Sequence, residues 1–264
     1  MKIGVFDSGL GGLFLLRSML SSKKLRKYDF VFLGDTKHLP YGNKSQKQIY
    51  ALTANAVKFL FEQGCLLVIV ACNTASAQAL RKIQRDYLPK YYANRKVLGV
   101  IRPTVELIRG GDVCILATNG TVKAQAYTKE LKKLNPKLKV SEIAAPELVQ
   151  LIENVQLAKL KLAVETYSDL IKSKNVKNLI LGCTHYALIK DKFSRKIGKG
   201  IKVISQDEIV PKKLADYLSR HEEIASKLSK KQQRKFYVTR LDQNFSKTAK
   251  KWFGKKIALN LVKY

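Results

Sequence analysis

The fold of this chain is decided by an apolar stretch that ends on a cysteine and two small polar residues, Leu67-Val68-Ile69-Val70-Ala71-Cys72-Asn73-Thr74. A similar stretch recurs later in the chain as Leu179-Ile180-Leu181-Gly182-Cys183-Thr184-His185. Short apolar runs of this kind are typical of strands buried on both faces of a parallel sheet. The repetition predicts two similar units, each with a cysteine at the end of a strand.

The rest of the chain alternates between apolar runs and amphipathic stretches, which is typical of strands joined by crossover helices. Strands are predicted over 2–6, 30–33, 66–70, 97–100, 112–116, 140–143 and 178–181. Helices are predicted over 12–20, 44–63, 76–87, 122–134, 146–152 and 159–173. We therefore expect an α/β fold of two pseudo-symmetric lobes, each a mainly parallel sheet flanked by helices. Because ligands bind beyond the carboxyl ends of parallel strands, the active site is expected in the cleft between the lobes.

Composition excludes several classes of protein. The chain has 264 residues, of which 46% are hydrophobic, so it can bury a substantial core and is not intrinsically disordered. Its apolar runs are far shorter than the roughly 20 residues of a membrane-spanning helix. Met1 and Lys2 lead directly into a predicted strand, without the pattern of a secretory signal. These features predict a cytoplasmic protein that does not associate with a membrane.

The charge of the chain is strongly basic, with 50 Lys and Arg against 20 Asp and Glu and a formal net charge of +30. Basic residues occur throughout and are densest over 190–264. Lysine, which predominates here, suits a dispersed solvated surface more than the bidentate recognition that arginine provides. We favour that interpretation over a dedicated nucleic-acid site, although the charge alone leaves both open.

The residues that often bind cofactors or metals do not have the required spacing. Gly9-Leu10-Gly11-Gly12 follows a predicted strand but matches neither the dinucleotide fingerprint nor the phosphate-binding loop. Glycines at this position permit a sharp turn, whose backbone amides remain able to hold a carboxylate. The three histidines and four cysteines lack the paired spacing of metal sites. We therefore expect neither a cofactor nor a metal.

Two of the four cysteines are candidates for chemistry. Cys72 and Cys183 each lie where a predicted strand passes into a helix, and the exposed amides of a helix N-terminus favour a thiolate. Two such thiols on opposite sides of one carbon could remove a proton from one face and deliver a proton to the other, as racemisation requires. Cys65 and Cys114 lie at the start and in the middle of strands, where we expect them only to pack as small apolar residues.

Five ordered motifs, spread over nearly the whole chain, resemble those of bacterial glutamate racemases of the Asp/Glu racemase family. They are Gly4–Gly12, Gly34-Asp35-Thr36 with Pro40-Tyr41-Gly42, Val70–Ser76, Ala117–Val122 and Leu181–Tyr186. The resemblance implies a cofactor-independent isomerase that interconverts L- and D-glutamate and supplies D-glutamate for peptidoglycan synthesis. It also implies that the C-terminal residues complete the first lobe, so we place the lobes at 1–97 plus 207–264 and at 98–206.

The resemblance also assigns site residues. It implies that Cys72 and Cys183 are the two acid/base thiols, assisted by Asp7 and His185, whereas Glu153 lies in a segment that matches only loosely. The residues that it implies for substrate binding are Asp7, Ser8, Tyr41, Gly42, Asn73, Thr74, Thr118, Thr121, Thr184 and His185. Several of these are also ordinary helix caps or turn residues, so both roles remain open for them.

The alternatives to this function are of two kinds. One is a related amino-acid racemase, such as one for aspartate, because the depth of the substrate site cannot be read from sequence. The other is a nucleic-acid-binding role added to a racemase scaffold, motivated by the charge of +30. Glutamate is the expected small-molecule partner and a homodimer is the expected assembly.

Two places depart from the family pattern. One is Arg102, where many relatives carry a different and often acidic residue, and the other is the segment 205–208.

Overall fold

The computed structural model describes residues 1–254 and 257–264. The strands are β1 Lys2–Asp7, β2 Phe30–Gly34, β3 Cys65–Val70, β4 Lys96–Gly99, β5 Val113–Ala117, β6 Val140–Ala144, β7 Asn178–Gly182, β8 Lys202–Ile204, β9 Arg234–Val238 and β10 Leu259–Leu261. The α-helices are α1 Gly11–Ser21, α2 Gln46–Glu62, α3 Asn73–Gln78, α4 Leu80–Lys82, α5 Leu88–Tyr91, α6 Ile101–Val105, α7 Asn119–Ala124, α8 Ala126–Leu134, α9 Glu147–Glu153, α10 Leu157–Lys172, α11 Lys190–Ile197, α12 Gln206–Arg220, α13 Glu222–Ala225 and α14 Gln243–Phe253. Short 3₁₀ helices cover Tyr41–Asn43 and Thr184–Ile189, and a π-helix covers Ile83–Tyr87.

The strands form two parallel sheets. The first has the order β10-β9-β2-β1-β3-β4 and the second has the order β6-β5-β7-β8. Every pairing within them is parallel. The predicted α/β class with two mainly parallel sheets is confirmed. In each sheet, the strand that ends next to a candidate thiol, β3 or β7, pairs with the central strand β1 or β5.

The register of these central pairs places the candidate residues at one edge of each sheet. Phe6 of β1 is paired with Val70 of β3, so Asp7 and Cys72 leave the sheet side by side. Ala117 of β5 is paired with Gly182 of β7, so the residues that follow those strands also lie together. The polar residues after the strands are consequently gathered at the carboxyl ends of both sheets.

The C-terminal part of the chain returns to the first sheet, where β9 pairs with β2 and β10 pairs with β9. The division into 1–97 plus 207–264 and 98–206 stays a prediction, and β4 runs past the first of these positions to Gly99. One apolar cluster includes Leu13 and Leu16 of α1 together with Tyr186 and Ile189 of the 3₁₀ helix, so the core is continuous between the sheets. Along the described residues, every helix is too short or too polar to cross a bilayer.

Two predicted helices are interrupted in the structure. The predicted helix 76–87 begins earlier, at Asn73, and is divided into α3, α4 and the π-helix. The predicted helix 122–134 is divided at Gln125, whose φ of 51° lies in the left-handed region that a helix interior excludes. Apolar periodicity indicates which side of a helix is buried, but it does not register a local change of winding.

Candidate functional site

The first candidate thiol, Cys72, lies two residues beyond β3 and is the N-cap residue of α3. Its sulfur accepts a hydrogen bond from the backbone N–H of Ala75 at 3.4 Å. The hydroxyl of Ser8, which follows β1, lies 3.3 Å from the same sulfur. Cys72 is buried. Cys72 therefore lies at a helix N-terminus, as the sequence predicted. Ser8, which follows the neighbouring strand β1, provides a second polar contact to its sulfur.

The protonation of Cys72 differs from the sequence-based expectation of a lowered thiol pKa. Burial raises the pKa of Cys72 to about 12, and the negative charges of Asp7 and Cys183 add to this effect. The hydrogen bonds from Ser8 and the Ala75 amide act in the opposite direction without compensating. The expectation was wrong for this thiol because the N-terminus of a helix lowers a pKa only where desolvation does not exceed it.

The carboxylate of Asp7 joins the two halves of the site. Its Oδ1 accepts a hydrogen bond from the Gly9 amide at 2.9 Å, and its Oδ2 accepts one from the Thr184 hydroxyl at 3.0 Å. Asp7 is buried, and this burial raises its pKa to about 6 although the nearby His185 opposes the shift. A carboxyl group with this pKa can exchange a proton near neutral pH.

The second candidate thiol, Cys183, directly follows β7 and precedes the 3₁₀ helix Thr184–Ile189 rather than an α-helix. Its sulfur lies 3.8 Å from Nδ1 of His185. The other ring nitrogen of His185, Nε2, lies 2.8 Å from Oε1 of Glu153 at the end of α9. Trp252 of α14 packs edge-on against the imidazole, with ring centroids 5.8 Å apart. The contacts therefore form a continuous row from Cys183 through His185 to Glu153. Glu153 thus reaches the thiol motif through His185.

The charge of His185 follows from this row. Burial alone would lower its pKa, but hydrogen bonds to Cys183 and Glu153 and the charges of these groups outweigh burial. The pKa of His185 consequently lies well above its ordinary value. The ring is held as an imidazolium between a carboxylate and a sulfur.

Gly11 permits the close approach of α1 to this row. A Cβ atom at Gly11 would lie 2.5 Å from Oγ1 of Thr184 and 2.7 Å from Nδ1 of His185. Such separations are shorter than van der Waals contact, so any larger residue would displace His185 or the helix. The glycine turn predicted after β1 therefore has two roles in the site. Gly11 permits close packing, and the backbone amide of Gly9 donates a hydrogen bond to Asp7.

Three threonine hydroxyls meet where the two sheets face each other. Oγ1 of Thr74 lies 2.8 Å from Oγ1 of Thr118 and 3.3 Å from Oγ1 of Thr121. Thr118 also caps α7 by accepting a hydrogen bond from the Thr121 amide at 3.4 Å. A Cβ at Gly42 would lie 2.9 Å from Cβ of Thr118, so the 3₁₀ helix Tyr41–Asn43 closes tightly over this group. Thr118 is thus the N-cap of α7, whereas Thr74 and Thr121 lie within α3 and α7, and the substrate-binding role predicted for all three stays a prediction.

A cavity of about 750 Å³ opens on the outer side of the threonines. Gly42, Gln78, Gly120 and Lys123 are among the residues that line it. The amide of Gln78 donates a hydrogen bond to the Gly120 carbonyl at 2.7 Å and so joins α3 to α7 across this cavity. Because the cavity adjoins the threonines through Gly42 and Gly120, it is a candidate route from solvent to the site.

Two residues that the sequence analysis did not select hold Asn73 in place. Oδ1 of Asn73 accepts hydrogen bonds from the Tyr127 hydroxyl at 2.6 Å and from the Gln206 amide at 3.0 Å. The same Gln206 amide donates to the Tyr127 hydroxyl at 2.7 Å. Gln206 lies in the segment 205–208 that departs from the family pattern, and no local signal distinguishes either residue.

The hydroxyl of Tyr41 is bound to a buried carboxylate next to the site. It donates a hydrogen bond to the buried carboxylate of Asp35 at 2.6 Å. Asp35 also accepts hydrogen bonds from Nδ1 of His38 at 2.8 Å and from the hydroxyl of Thr239 at 2.7 Å. The proton of the Tyr41 hydroxyl is therefore already committed to Asp35.

The other two cysteines belong to the apolar core. Cys65 and Cys114 are fully buried within apolar clusters, so their predicted packing role is confirmed. Over residues 1–254 and 257–264, no group of three or more His, Cys, Asp or Glu side chains is arranged to hold a metal ion.

Comparison with known proteins agrees with this arrangement. The family model described as Asp/Glu/Hydantoin racemase matches residues 19–209. The chain belongs to this family. Glutamate racemase from Dinoroseobacter shibae is 38% identical over 237 residues, which are 84% of this chain and 85% of that relative.

Solved structures in this family share the fold over almost the full length. Glutamate racemase from Francisella tularensis subsp. tularensis, solved in complex with D-glutamate, has a TM-score of 0.88 and 30% identity and covers 99% of this chain and 97% of its own. A glutamate racemase isoform from Bacillus anthracis has the same TM-score at 29% identity, with the same two coverages. The resemblance found in the sequence motifs is therefore confirmed at the level of the family and the fold.

Proposed function

We propose that this protein is a glutamate racemase that interconverts L- and D-glutamate by two-thiol proton transfer without a cofactor. The observation that carries the proposal is the bridge between the two thiols. Ser8 contacts Cys72, its neighbour Asp7 contacts Thr184, and Thr184 directly precedes His185 beside Cys183. Relatives that match most of the chain at more than 30% identity are named glutamate racemases, which supports glutamate as the substrate.

The reaction balances within the two thiols and the substrate. One sulfur, as a thiolate, accepts the proton of the α-carbon, and the electron pair of that C–H bond passes toward the α-carboxylate. The other sulfur, as a thiol, donates its proton to the opposite face of the same carbon. The enzyme ends with the thiol and thiolate exchanged, so no oxidant, reductant or external base is consumed.

The charge states around the site suit a mechanism in which one sulfur accepts a proton and the other donates one. With its raised pKa, Cys72 in the absence of substrate is a thiol and therefore ready to donate. The ammonium group of bound glutamate would favour its thiolate form, because a nearby positive charge stabilises negative charge. The imidazolium of His185 attracts negative charge on the Cys183 sulfur. The neighbours of the two thiols therefore differ in charge, which supports different roles for them in the two directions of the reaction.

The polar groups around the thiols suit the charges of glutamate. We assign the ammonium to Asp7 and one carboxylate to the hydroxyls of Thr74, Thr118 and Thr121, which lie within 3.3 Å of one another. Hydroxyl donors that already share hydrogen bonds can be reorganised around an anion at low cost. The remaining contacts assigned to substrate are those of Ser8, Gly42, Asn73, Thr184, His185 and the backbone of Tyr41.

The proposal is tested by following the circular dichroism of D-glutamate in the presence of the purified chain without added cofactor. The signal is expected to decay to zero, and L-glutamate is expected to give the mirror-image decay. The same assay with D-aspartate separates the alternative substrate, for which we expect a rate lower by at least about tenfold, because a missing methylene costs 1–3 kcal/mol. Preferential racemisation of aspartate, or no decay with either amino acid, would contradict the proposal.

Three further assignments accompany this function. We place the reaction in the cytoplasm, as a source of D-glutamate for peptidoglycan. The assembly is assigned as a homodimer, and sedimentation velocity of the full chain distinguishes a dimer from a monomer.

A further inference from the structure

A run of aromatic rings lies on the surface of the first sheet's helical layer, formed by α2 and the segment from α4 to α5. The ring centroids of Phe61 and Tyr92 are 4.8 Å apart, those of Tyr92 and Tyr87 are 5.8 Å apart, and those of Tyr87 and Tyr91 are 5.1 Å apart. The run begins in the buried Phe61 and ends at Tyr91, which is 58% exposed. Aromatic rings that are packed at one end and open at the other are rigid platforms for a planar ligand.

A cavity accompanies these rings. Its volume is about 340 Å³, and it is lined by Lys58, Tyr87, Tyr91 and Tyr92. This volume is at the lower end of the range of sites for small organic groups. The lining combines ring faces with one ammonium group, which suits a planar group that is attached to an anion.

The surroundings of the rings are strongly basic. Residues 81–96 contain one acidic residue, Asp86, and six basic residues: Arg81, Lys82, Arg85, Lys90, Arg95 and Lys96. Asp86 is bound by Arg85 at 2.5 Å, and Glu62 lies 3.8 Å from Lys58. We call the four residues Lys58, Tyr87, Tyr91 and Tyr92, together with the basic residues of 81–96, the tyrosine patch.

Two lysines of the tyrosine patch lie against the faces of tyrosine rings. Nζ of Lys82 lies 4.7 Å from the ring centroid of Tyr50, and Nζ of Lys90 lies 5.2 Å from that of Tyr91. Lys90 is thereby placed beside Tyr91, and Lys82 beside Tyr50 on α2. The patch is outside the candidate active site, whose thiols lie at the strand ends of the sheets.

This charge excludes the self-association that exposed tyrosines would otherwise suggest. In a two-fold symmetric dimer the same patch contacts its own copy, so Lys58, Lys82 and Lys90 would face the same three lysines. The partner must instead be a polyanion, and the open rings select one that carries planar groups. We propose that the tyrosine patch binds single-stranded nucleic acid, with bases stacked on Tyr91 and Tyr87 and phosphates bound by Lys58, Lys82 and Lys90.

The test uses the full chain and a fluorescein-labelled oligothymidylate of about 20 nucleotides, a length that exceeds the footprint of one such site. Fluorescence anisotropy is expected to show binding near physiological salt. Tyr91→Ala is expected to weaken it about tenfold, whereas Tyr91→Phe retains the stacking face and is expected to match the unaltered chain. The double variant Lys82→Gln/Lys90→Gln is expected to lower the slope of log affinity against log salt by about 1.4.

The matched control is Lys159→Gln/Lys161→Gln, which removes two exposed charges from α10. It is expected to leave both affinity and slope nearly unchanged. Equal weakening by the two double variants, or no weakening by Tyr91→Ala, would show that binding depends only on diffuse charge and would overturn the proposal. Tighter binding of a duplex of equal length, or equal displacement by poly-L-glutamate, would also overturn it. Racemase activity is measured on each variant as an independent check of folding.

Discussion

The surroundings of Cys72 and Cys183 differ much more than their sequences do. Both thiols follow an apolar strand that pairs with the central strand of a parallel sheet. Around Cys72 the contacts are neutral, from the Ser8 hydroxyl and a backbone amide. Around Cys183 they are ionic, from an imidazole that a carboxylate holds in turn.

This difference shows that a nearly symmetric reaction does not need symmetric acids and bases. The two enantiomers of glutamate are mirror images, but the chiral chain meets their opposite faces with different groups. Burial and the charge of Asp7 raise the pKa of Cys72, whereas Cys183 lies beside His185, whose own pKa is raised. Substitutions on each side therefore test whether the two thiols have different roles.

The largest effect is expected when either thiol is replaced. Cys72→Ser and Cys183→Ser are each expected to lower kcat for racemisation by about 10³-fold, because a serine hydroxyl is a much weaker acid than a thiol and is scarcely ionised to its basic form near neutral pH. The measurement is the decay of D-glutamate circular dichroism, with Cys114→Ser as the control in a buried strand position. Substantial activity in both site variants would refute the two-thiol mechanism.

The carboxylate of Asp7 is expected to affect the free energy of unfolding strongly. Because the folded-state pKa of Asp7 is raised to about 6, its contribution to stability is complete below the unfolded pKa of about 4 and is lost as pH rises through 6. Relative to Asp7→Asn, the unaltered chain should therefore lose about 3 kcal/mol of unfolding free energy between pH 4 and pH 7. Urea unfolding of both chains across this range measures the difference. A difference that does not vary with pH would contradict this assignment.

The third prediction distinguishes the two sides by isotope effects. Since the enantiomers have equal free energy, His185→Gln must lower kcat/KM equally in both directions, by about tenfold. The primary isotope effect with 2-deuterated glutamate is expected to rise only for the enantiomer whose α-hydrogen Cys183 removes. Ser8→Ala, on the Cys72 side, is expected to raise it for the other enantiomer. Identical changes for both enantiomers would show that the two sides are not separable.

The smallest effect is expected at Glu153, which acts through His185. Glu153→Gln is expected to lower kcat about fivefold and to move the alkaline limb of the kcat/KM profile to lower pH, because the imidazolium loses a stabilising charge. Glu147→Gln is the matched control, since Glu147 lies on the same helix and accepts a hydrogen bond from Tyr167 at 2.6 Å. A shift of the same size in both variants would assign the effect to α9 rather than to His185.

The sequence predicted the strands near the site more completely than the later ones. Its predicted strands up to 181 are all present within a few residues. The central ones, such as β3, β5 and β7, are buried along their whole length, and a strand buried on both faces has a continuous apolar run. The strands β8, β9 and β10 were not predicted. They are short or carry polar residues, as in Arg234–Val238, and only pairing with an existing sheet makes them strands.

The site was predicted in part for the same reason. The two thiols, Asp7 and the threonines all lie at the end of a strand or within four residues of it, so their motifs carry a local signal. Tyr127 and Gln206 do not, because they meet Asn73 only when residues more than fifty positions apart come together. The hydrogen bond from Tyr41 to Asp35 was likewise not predicted, although both residues belong to motifs that resemble the family.

The sequence by itself determined which residues end the buried strands, because alternation of apolar and polar side chains is a local property of the chain. It therefore determined the α/β class, the two thiols and their likeness to one family. Only the tertiary structure decided the charge that each group carries. The pKa of Cys72, Asp7 and His185 depends on burial and on partners from distant segments, and these exist only after the sheets have packed against each other.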